Sequence, residues 1–206
     1  MCGRYVVTNA VSKTQKIVKK AIKVKNIANY NAHPLQELPV IKKYLNGNTL
    51  ESLRWGIVPK WAKKKNFRPL INARSETINE KISFKAIIKS SKCIVVADGY
   101  YEWKLIEKKK VPYFIFRKDK KPLFIAGIFA NNEFCLITEN ADGCLLDIHH
   151  RKPVIMNESD INYYLNNKND ASDFFINRNK PDFDFYKVSR DINKPTNNNP
   201  NNLVRI

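Results

Sequence analysis

Apolar and polar residues alternate in short bursts along this chain, and the bursts are closed by clusters of Asn, Asp, Gly and Lys. Short alternating runs with frequent turn punctuation predict a fold dominated by strands. Residues 4–7 form a first apolar stretch. Ser12-Lys-Thr-Gln15 has the spacing of a capping box and predicts a helix with Val11, Ile17, Val18, Ala21, Ile22 and Val24 on its apolar side. Lys13, Lys16, Lys19, Lys20 and Lys23 would then form a solvated face. Residues 29–34 read as a break, because Pro34 drives His33 towards extended backbone. Residues 40–45 and 49–55 predict two strands around Asn46-Gly47-Asn48, a hairpin signal. Residues 84–89 predict a helix, 93–97 a buried strand, and Asp98-Gly99 a turn into the alternating stretch 100–104. Beyond the charged turn Glu107-Lys-Lys-Lys110, residues 113–117, 123–130 and 133–138 predict three more strands. A short helix over 157–166 and a last strand over 183–188 follow. From Arg190 the Asn- and Pro-rich tail is expected to be irregular, with Leu203-Val204 docking.

Composition narrows the partners. The 206 residues are 43% hydrophobic, enough for one core, and 37 Lys and Arg against 19 Asp and Glu leave a formal charge of +18. A chain so basic suits a polyanion, nucleic acid first and an anionic membrane surface second. No stretch resembles a signal peptide or a membrane span, so the expectation is an intracellular protein, not secreted and not in a membrane. The four cysteines form no CxxC pair, as in a reducing compartment. His149 and His150 near Cys144 lack a second ligand pair at zinc-like spacing, so neither a metal nor a cofactor is expected. Internal repeats, a Walker loop and a Rossmann fingerprint are absent from the sequence.

Candidate chemistry begins at Cys2. Removal of Met1 would leave an amine titrating near ~7.7–8.0 beside a thiol near ~8.5, a 1,2-aminothiol able to form an imine with an aldehyde and close it to a thiazolidine. The plain alternative is a buried, inert cysteine. Glu102, set among Tyr100, Tyr101 and Trp103, is a carboxylate in apolar surroundings and so a candidate acid and base. In Asp147-Ile-His-His-Arg151, a histidine that carries protons sits beside an arginine suited to phosphate. Residues 54–68 interleave cations with aromatics: Trp55 and Trp61 either stack on unpaired bases or serve the core. Asn72-Ala-Arg-Ser-Glu-Thr77 is a polar cluster whose alternative role is to start a helix.

Met1-Cys-Gly-Arg-Tyr5, Tyr30-Asn31 with Pro34, Arg54-Trp-Gly-Ile-Val-Pro59, Asn72-Ala-Arg-Ser-Glu-Thr77, Ala97-Asp-Gly-Tyr-Tyr-Glu-Trp103 and Ile148-His-His-Arg-Lys-Pro153 together resemble the SOS-response-associated peptidase family of abasic-site-processing proteins. The resemblance implies a single α+β domain over 1–206, a largely antiparallel, barrel-like sheet with peripheral helices, and an irregular tail from about 190. It also implies a monomer that binds single-stranded DNA and cross-links its mature Cys2 to the ring-opened abasic aldehyde as a thiazolidine. By motif, Asn72 orients the amine, Glu102 moves protons and His149 acts on the sugar. Arg4, Arg74, Arg151 and Thr138 meet phosphates, and Trp55 and Trp61 shape the strand groove or hold the core. Peptidase and lyase-type activities come with the family. With only Met1 ahead of Cys2, an aminopeptidase would suffice to expose it, and self-cleavage stays open. Three positions depart from the family pattern: Lys152 replaces a methionine, His33 interrupts a small-residue stretch, and Ile82 replaces a basic phosphate contact that Lys81 or Lys85 would supply. The alternatives are a non-covalent single-strand binder and a thiol peptidase acting on other proteins.

Overall fold

In the computed structural model, residues 2–22, 24, 28–45, 47–62 and 66–206 are described. Met1, Lys23, Asn46 and Lys63 to Lys65, which figure in the expectations above, lie outside them. The strands in chain order are β1 (Arg4–Val7), β2 (Lys20–Ile22), β3 (Asn29–Ala32), β4 (Glu37–Tyr44), β5 (Gly47–Trp55), β6 (Asn72–Arg74) and β7 (Lys92–Ala97). They continue with β8 (Gly99–Ile106), β9 (Lys109–Arg117), β10 (Leu123–Ala130), β11 (Glu133–Asn140), β12 (Arg151–Pro153), β13 (Ile155–Met156) and β14 (Phe183–Lys187). Short helices α1 (Ala10–Thr14), α2 (Ile87–Ser90), α3 (Ile161–Leu165) and α4 (Ala171–Asn177) sit at the periphery.

Two sheets result. One is five-stranded, in the order β14-β9-β8-β1-β3, and antiparallel throughout. In the other, antiparallel pairing runs β11-β10-β7-β4-β5, and a parallel pairing of β11 with β5 closes the ring. The fold is thus α+β, largely antiparallel and barrel-like. Closure removes the unpaired edges that a flat sheet of these strands would expose.

The interior strands are the ones that alternation or continuous apolarity announces: β7 is buried along its whole length and β10 along most of it. Trp55 lies in this core, fully buried, stacked on Phe134 at 6.2 Å and donating its Nε1–H to the Ile71 carbonyl at 2.9 Å. Of its two sequence readings, the core is the one realised. The next residue, Gly56, has φ +128°, a backbone that L side chains rarely adopt, and a Cβ there would meet Pro69 at 2.9 Å.

Several elements differ from expectation. The helix starts earlier and stops sooner: Asn9 rather than Ser12 is its cap, accepting from Ser12 N, and it ends at Thr14, whose hydroxyl bonds back to the Ala10 carbonyl. Ala21 and Ile22 instead pair in parallel with β5, covering what would be an open edge. Residues 29–32, expected as a break, form an edge strand antiparallel to β1. α4 begins at the Asp170 cap, in a stretch where no helix was expected. The tail, expected to be irregular, contains two 3-10 turns, Arg190–Asn193 and Pro200–Leu203, and of the pair expected to dock Leu203 does so while Val204 is exposed. It packs Ile192 and Leu203 against Val6, Tyr101 and Phe114 on the outer face of the five-stranded sheet.

The turn before β8 brings three backbones into close approach. Asp98 N–H donates to the Val6 carbonyl, while Asp98 Oδ2 accepts from Thr8 N at 2.8 Å and Thr8 Oγ1 at 2.9 Å. A Cβ on Gly99 would stand 2.3 Å from the Phe114 ring and 2.6 Å from the Ile115 carbonyl oxygen. Gly99→Ala is therefore expected to lower the unfolding free energy by about 1–3 kcal/mol, as overpacking does. A urea unfolding midpoint equal to the parent's would contradict that close approach.

Candidate active site

β1 delivers Cys2 into the main core. Tyr5 pairs with Tyr100 on one side and Ala32 on the other, so β1 is an interior strand held from both edges. Cys2 is 0% exposed and its Sγ makes a long contact, 3.9 Å, to the Arg4 carbonyl. Burial pushes its thiol well above the usual range, and the nearby Glu102 charge pushes it further the same way. Both effects favour the protonated thiol.

Three elements converge on it. Asn72, at the start of β6, donates from Nδ2 to the Cys2 carbonyl at 2.9 Å. Its Oδ1 is buried without a hydrogen-bond partner among the described residues. β6 is held by parallel pairing with β11, Asn72 opposite Leu136 and Arg74 opposite Thr138. Glu102 on β8 is buried, with Oε1 accepting from Trp103 N at 3.2 Å. Strand alternation turns it to the same face as Tyr100, the core side. His149 lies between the 3-10 turn Gly143–Asp147 and β12, half-buried and stacked on His150 at 4.2 Å.

His149 Nδ1 accepts the Arg151 backbone N–H at 2.9 Å. A neutral ring in that bond carries its proton on Nε2, so the side chain is poised as a donor. Burial lowers its pKa below the ordinary value, while the Glu102 charge acts against that shift. Glu102 thus influences both Cys2 and His149 electrostatically, and Asn72 joins these three through its bond to the Cys2 carbonyl.

The residues expected at phosphates divide. Arg74 is exposed and, by alternation on β6, on the same face as Asn72. Lys60, Arg68, Lys81 and Lys85 are exposed as well. Arg151 is only 5% exposed, bidentate to Glu76 at 2.6 and 3.0 Å and bonded to Asn140 Oδ1 at 2.7 Å and the Thr138 carbonyl at 2.7 Å. Thr138 is fully buried beside it, donating to the Ala73 carbonyl. Arg4 spans Asn31 Oδ1 at 2.8 Å and the Ile192 carbonyl at 2.7 Å. Its guanidinium lies on the tail side of the five-stranded sheet: Arg4 pairs with Tyr101, and alternation puts Tyr101 and Glu102 on opposite faces. Charge pattern along a sequence does not disclose which cations a fold buries.

Trp61 is 55% exposed, edge-on to Phe67 at 5.3 Å, and shares a groove with Pro59, Ile82 and Ile87. Ile82, where a basic contact was expected, is 79% exposed in that groove. Lys152, in place of the usual methionine, is buried and bonded to Asp142, with Glu139 at 3.6 Å; these acidic partners make a charge tolerable there. Sequence reasoning missed Asn31, a buried side chain donating to three tail carbonyls, because its partners lie more than 160 residues away.

A cysteine just ahead of an interior strand, with an amide, a carboxylate and a histidine around it on a barrel-like α+β scaffold, is a set of residue types suited to nucleophilic and acid–base chemistry. The family model for SOS response associated peptidase (SRAP) matches residues 1–195, and the chain belongs to that family. Among its relatives, abasic site processing protein YoqW of Bacillus subtilis is 35% identical over 187 residues, covering 84% of each chain. Abasic site processing protein YoaM of the same organism is 35% identical over 185 residues, covering 82% of each. A crystal structure of a protein from Bacteroides thetaiotaomicron shares the fold, with a TM-score of 0.83 over 100% of both chains at 22% identity.

The depressed pKa of His149 gives a pH signature. A neutral His149 contributes stability fully above its unfolded value, near ~6.5, and loses that contribution as pH falls through the folded value. His149→Gln is therefore expected to flatten the fall in urea midpoint between pH 7.5 and pH 5 that the parent shows. Parallel curves for the two proteins would contradict a half-buried histidine held neutral.

Proposed function

We propose that this protein processes abasic sites in single-stranded DNA by covalent capture at Cys2. The single observation that carries the reading is the convergence of Asn72, Glu102 and His149 on Cys2, within a family whose relatives are named abasic site processing proteins. With Met1 removed, the Cys2 amine attacks the C1′ aldehyde of the ring-opened sugar, and loss of water leaves an imine. The Cys2 sulfur then adds to the imine carbon, the thiol proton passing to Glu102 and a proton returning to nitrogen. Because burial keeps the thiol protonated, the amine acts first and the thiol closes the ring second. Asn72, anchored through Nδ2, has Oδ1 available to orient the amine. His149 donates from Nε2 towards the sugar oxygen, helping to open the ring and to reverse the adduct.

Exposed Arg74, Lys81 and Lys85 contribute to strand binding, with Trp61 as an aromatic platform for an unpaired base. The same cysteine and acid–base set is suited to releasing Cys2 from a preceding peptide, the activity in the family's name.

The decisive experiment is a denaturing gel of protein with a single-stranded oligonucleotide carrying one abasic site, beside undamaged strand and Cys2→Ala, after intact mass has confirmed loss of Met1. A heat-stable shifted band confined to abasic strand and intact Cys2 is expected. Its absence, with binding retained, would leave a non-covalent strand binder; turnover of unrelated peptides without DNA would leave a thiol peptidase.

A further inference from the structure

The tail covers only part of the outer face of the five-stranded sheet. Tyr101, Phe114 and Tyr186 stand opposite one another on β8, β9 and β14 and so share that face, the one turned away from Glu102. Leu203 closes one side of it, held where the Tyr186 hydroxyl donates to its carbonyl at 2.8 Å. Beyond Leu203 a cavity of about 310 Å³ stays open between the turn after β1 and the turn after β9, at the lower end of the size range of ligand pockets. It lies at the Thr8 end of β1, whereas Cys2 precedes the other end.

Aromatic rings and cations line this cavity. Phe114 and Phe116 stack at 5.8 Å, and Tyr186 lies 5.7 and 5.6 Å from them. Phe114 is buried, while Phe116 and Tyr186 are half-buried and leave ring surface open. Lys120 and Lys121 stand exposed at the entrance, and Lys120 Nζ lies 3.8 Å from the centre of the Phe116 ring. Lys121 has Asp119 at 3.7 Å, but that carboxylate is already bidentate to Arg117 at 2.8 and 2.7 Å. The other carboxylate at the cavity, Asp98, is engaged by Thr8 and Lys13. The charge left over at the entrance is therefore positive.

We propose that this cavity binds a nucleotide, its base stacked on Phe116 and Tyr186 and its phosphate held by Lys120 and Lys121. The site is separate from Cys2 and does not depend on covalent capture there. Lys120 marks the place of the base, because it already covers the ring face on which a base would stack. On binding, this flexible side chain swings from ring to phosphate, exchanging a cation–π contact for a charge-assisted hydrogen bond. A peptide suits the cavity less well. The Thr8 and Tyr186 hydroxyl protons are spent on Asp98 and the Leu203 carbonyl, so the amide groups of a buried peptide would go unpaired, whereas a planar ring needs only an aromatic surface.

The test is a titration of isotope-labelled protein with deoxyadenosine monophosphate, followed by NMR at the amides of Thr8, Lys120, Lys121 and Tyr186. Those amides are expected to shift together and to saturate. Phe116→Leu keeps the apolar volume but removes the ring, and is expected to weaken binding about tenfold. Lys120→Gln combined with Lys121→Gln is expected to weaken it about tenfold in low salt and little near ~1 M salt. Deoxyadenosine, which has no phosphate, should bind parent and lysine variant alike. Shifts confined to residues around Cys2, or equal affinities in the parent and both variants, would overturn the proposal. So would an end-blocked Asp-Phe-Asp peptide that shifts the same amides and binds more tightly than the nucleotide, since the cavity would then be a protein-docking site.

A free mononucleotide and one nucleotide of a strand offer the same chemistry, and undamaged single-stranded oligonucleotide separates them. An oligonucleotide affinity that falls in Phe116→Leu as the mononucleotide's does assigns the cavity to a strand. An unchanged oligonucleotide affinity assigns it to a free nucleotide. Neither ligand carries an aldehyde, so the result stands whether or not the protein forms a cross-link at Cys2.

Discussion

The pairing of β1 between β8 and β3 is the constraint on which the rest of the structure depends. A thiol two residues ahead of an interior strand can be buried reproducibly only if that strand cannot slip, because a one-residue shift would turn every side chain to the other face. The register Arg4 to Tyr101, Tyr5 to Tyr100 and Val6 to Gly99 therefore also fixes where Cys2 and Glu102 stand relative to each other. Slippage is opposed at both ends of β1: Asp98 binds Thr8 and the Val6 carbonyl at one, and Arg4 engages Asn31 and the tail at the other. The Gly99 backbone, packed against Phe114 and Ile115, leaves little room for the sheet to spread.

This constraint explains why apparently unrelated segments belong to one site. β6 is a three-residue strand with little stability of its own, and it is placed by the parallel pairing with β11 that lies beside the barrel's closing seam. Glu102 and Tyr100 are placed by β8, which pairs directly with β1. His149 is placed by the turn ahead of β12, locked by Arg151. The barrel fixes one half of the candidate site and the five-stranded sheet the other, so the site sits where the two sheets meet. This placement keeps a buried carboxylate near a buried thiol, and the carboxylate's charge favours the protonated thiol.

Much of this was legible in the residues. The hairpin of β4 and β5, the apolar β7, and the run from β8 to β11 follow from alternation and turn chemistry, because their side chains face a core on at least one side. The elements that escaped notice share a different property: their burial is supplied by distant polar partners. β3 carries Asn29 and Asn31, which look like loop residues until the tail offers carbonyls to Asn31. β2 is largely exposed and exists to cover an edge, so no periodicity marks it. α1 stops at Thr14 although apolar residues continue at helical spacing, since pairing with β5 outweighs a weak local propensity.

The site shows the same division between what chemistry announces and what topology decides. Cys2, Asn72, Glu102 and His149 were identifiable as residue types suited to a task, and the fold brings them together. Arg4 and Arg151, and more weakly Thr138, were expected at phosphates from the family resemblance, and a guanidinium is as good a bridge between carbonyls and carboxylates as it is a clamp on phosphate. What separates the two uses is whether acceptors already fill the fork. For Arg151 the acceptors come from β11, from the strand's own neighbour Asn140 and from Glu76 across the turn after β6, none of which a linear pattern links to it. A net charge of +18 therefore includes cations that the fold engages with its own acceptors. Arg74 of β6 and Lys60, Lys81 and Lys85 stand exposed, whereas the Arg151 guanidinium is already enclosed by acceptors of its own chain.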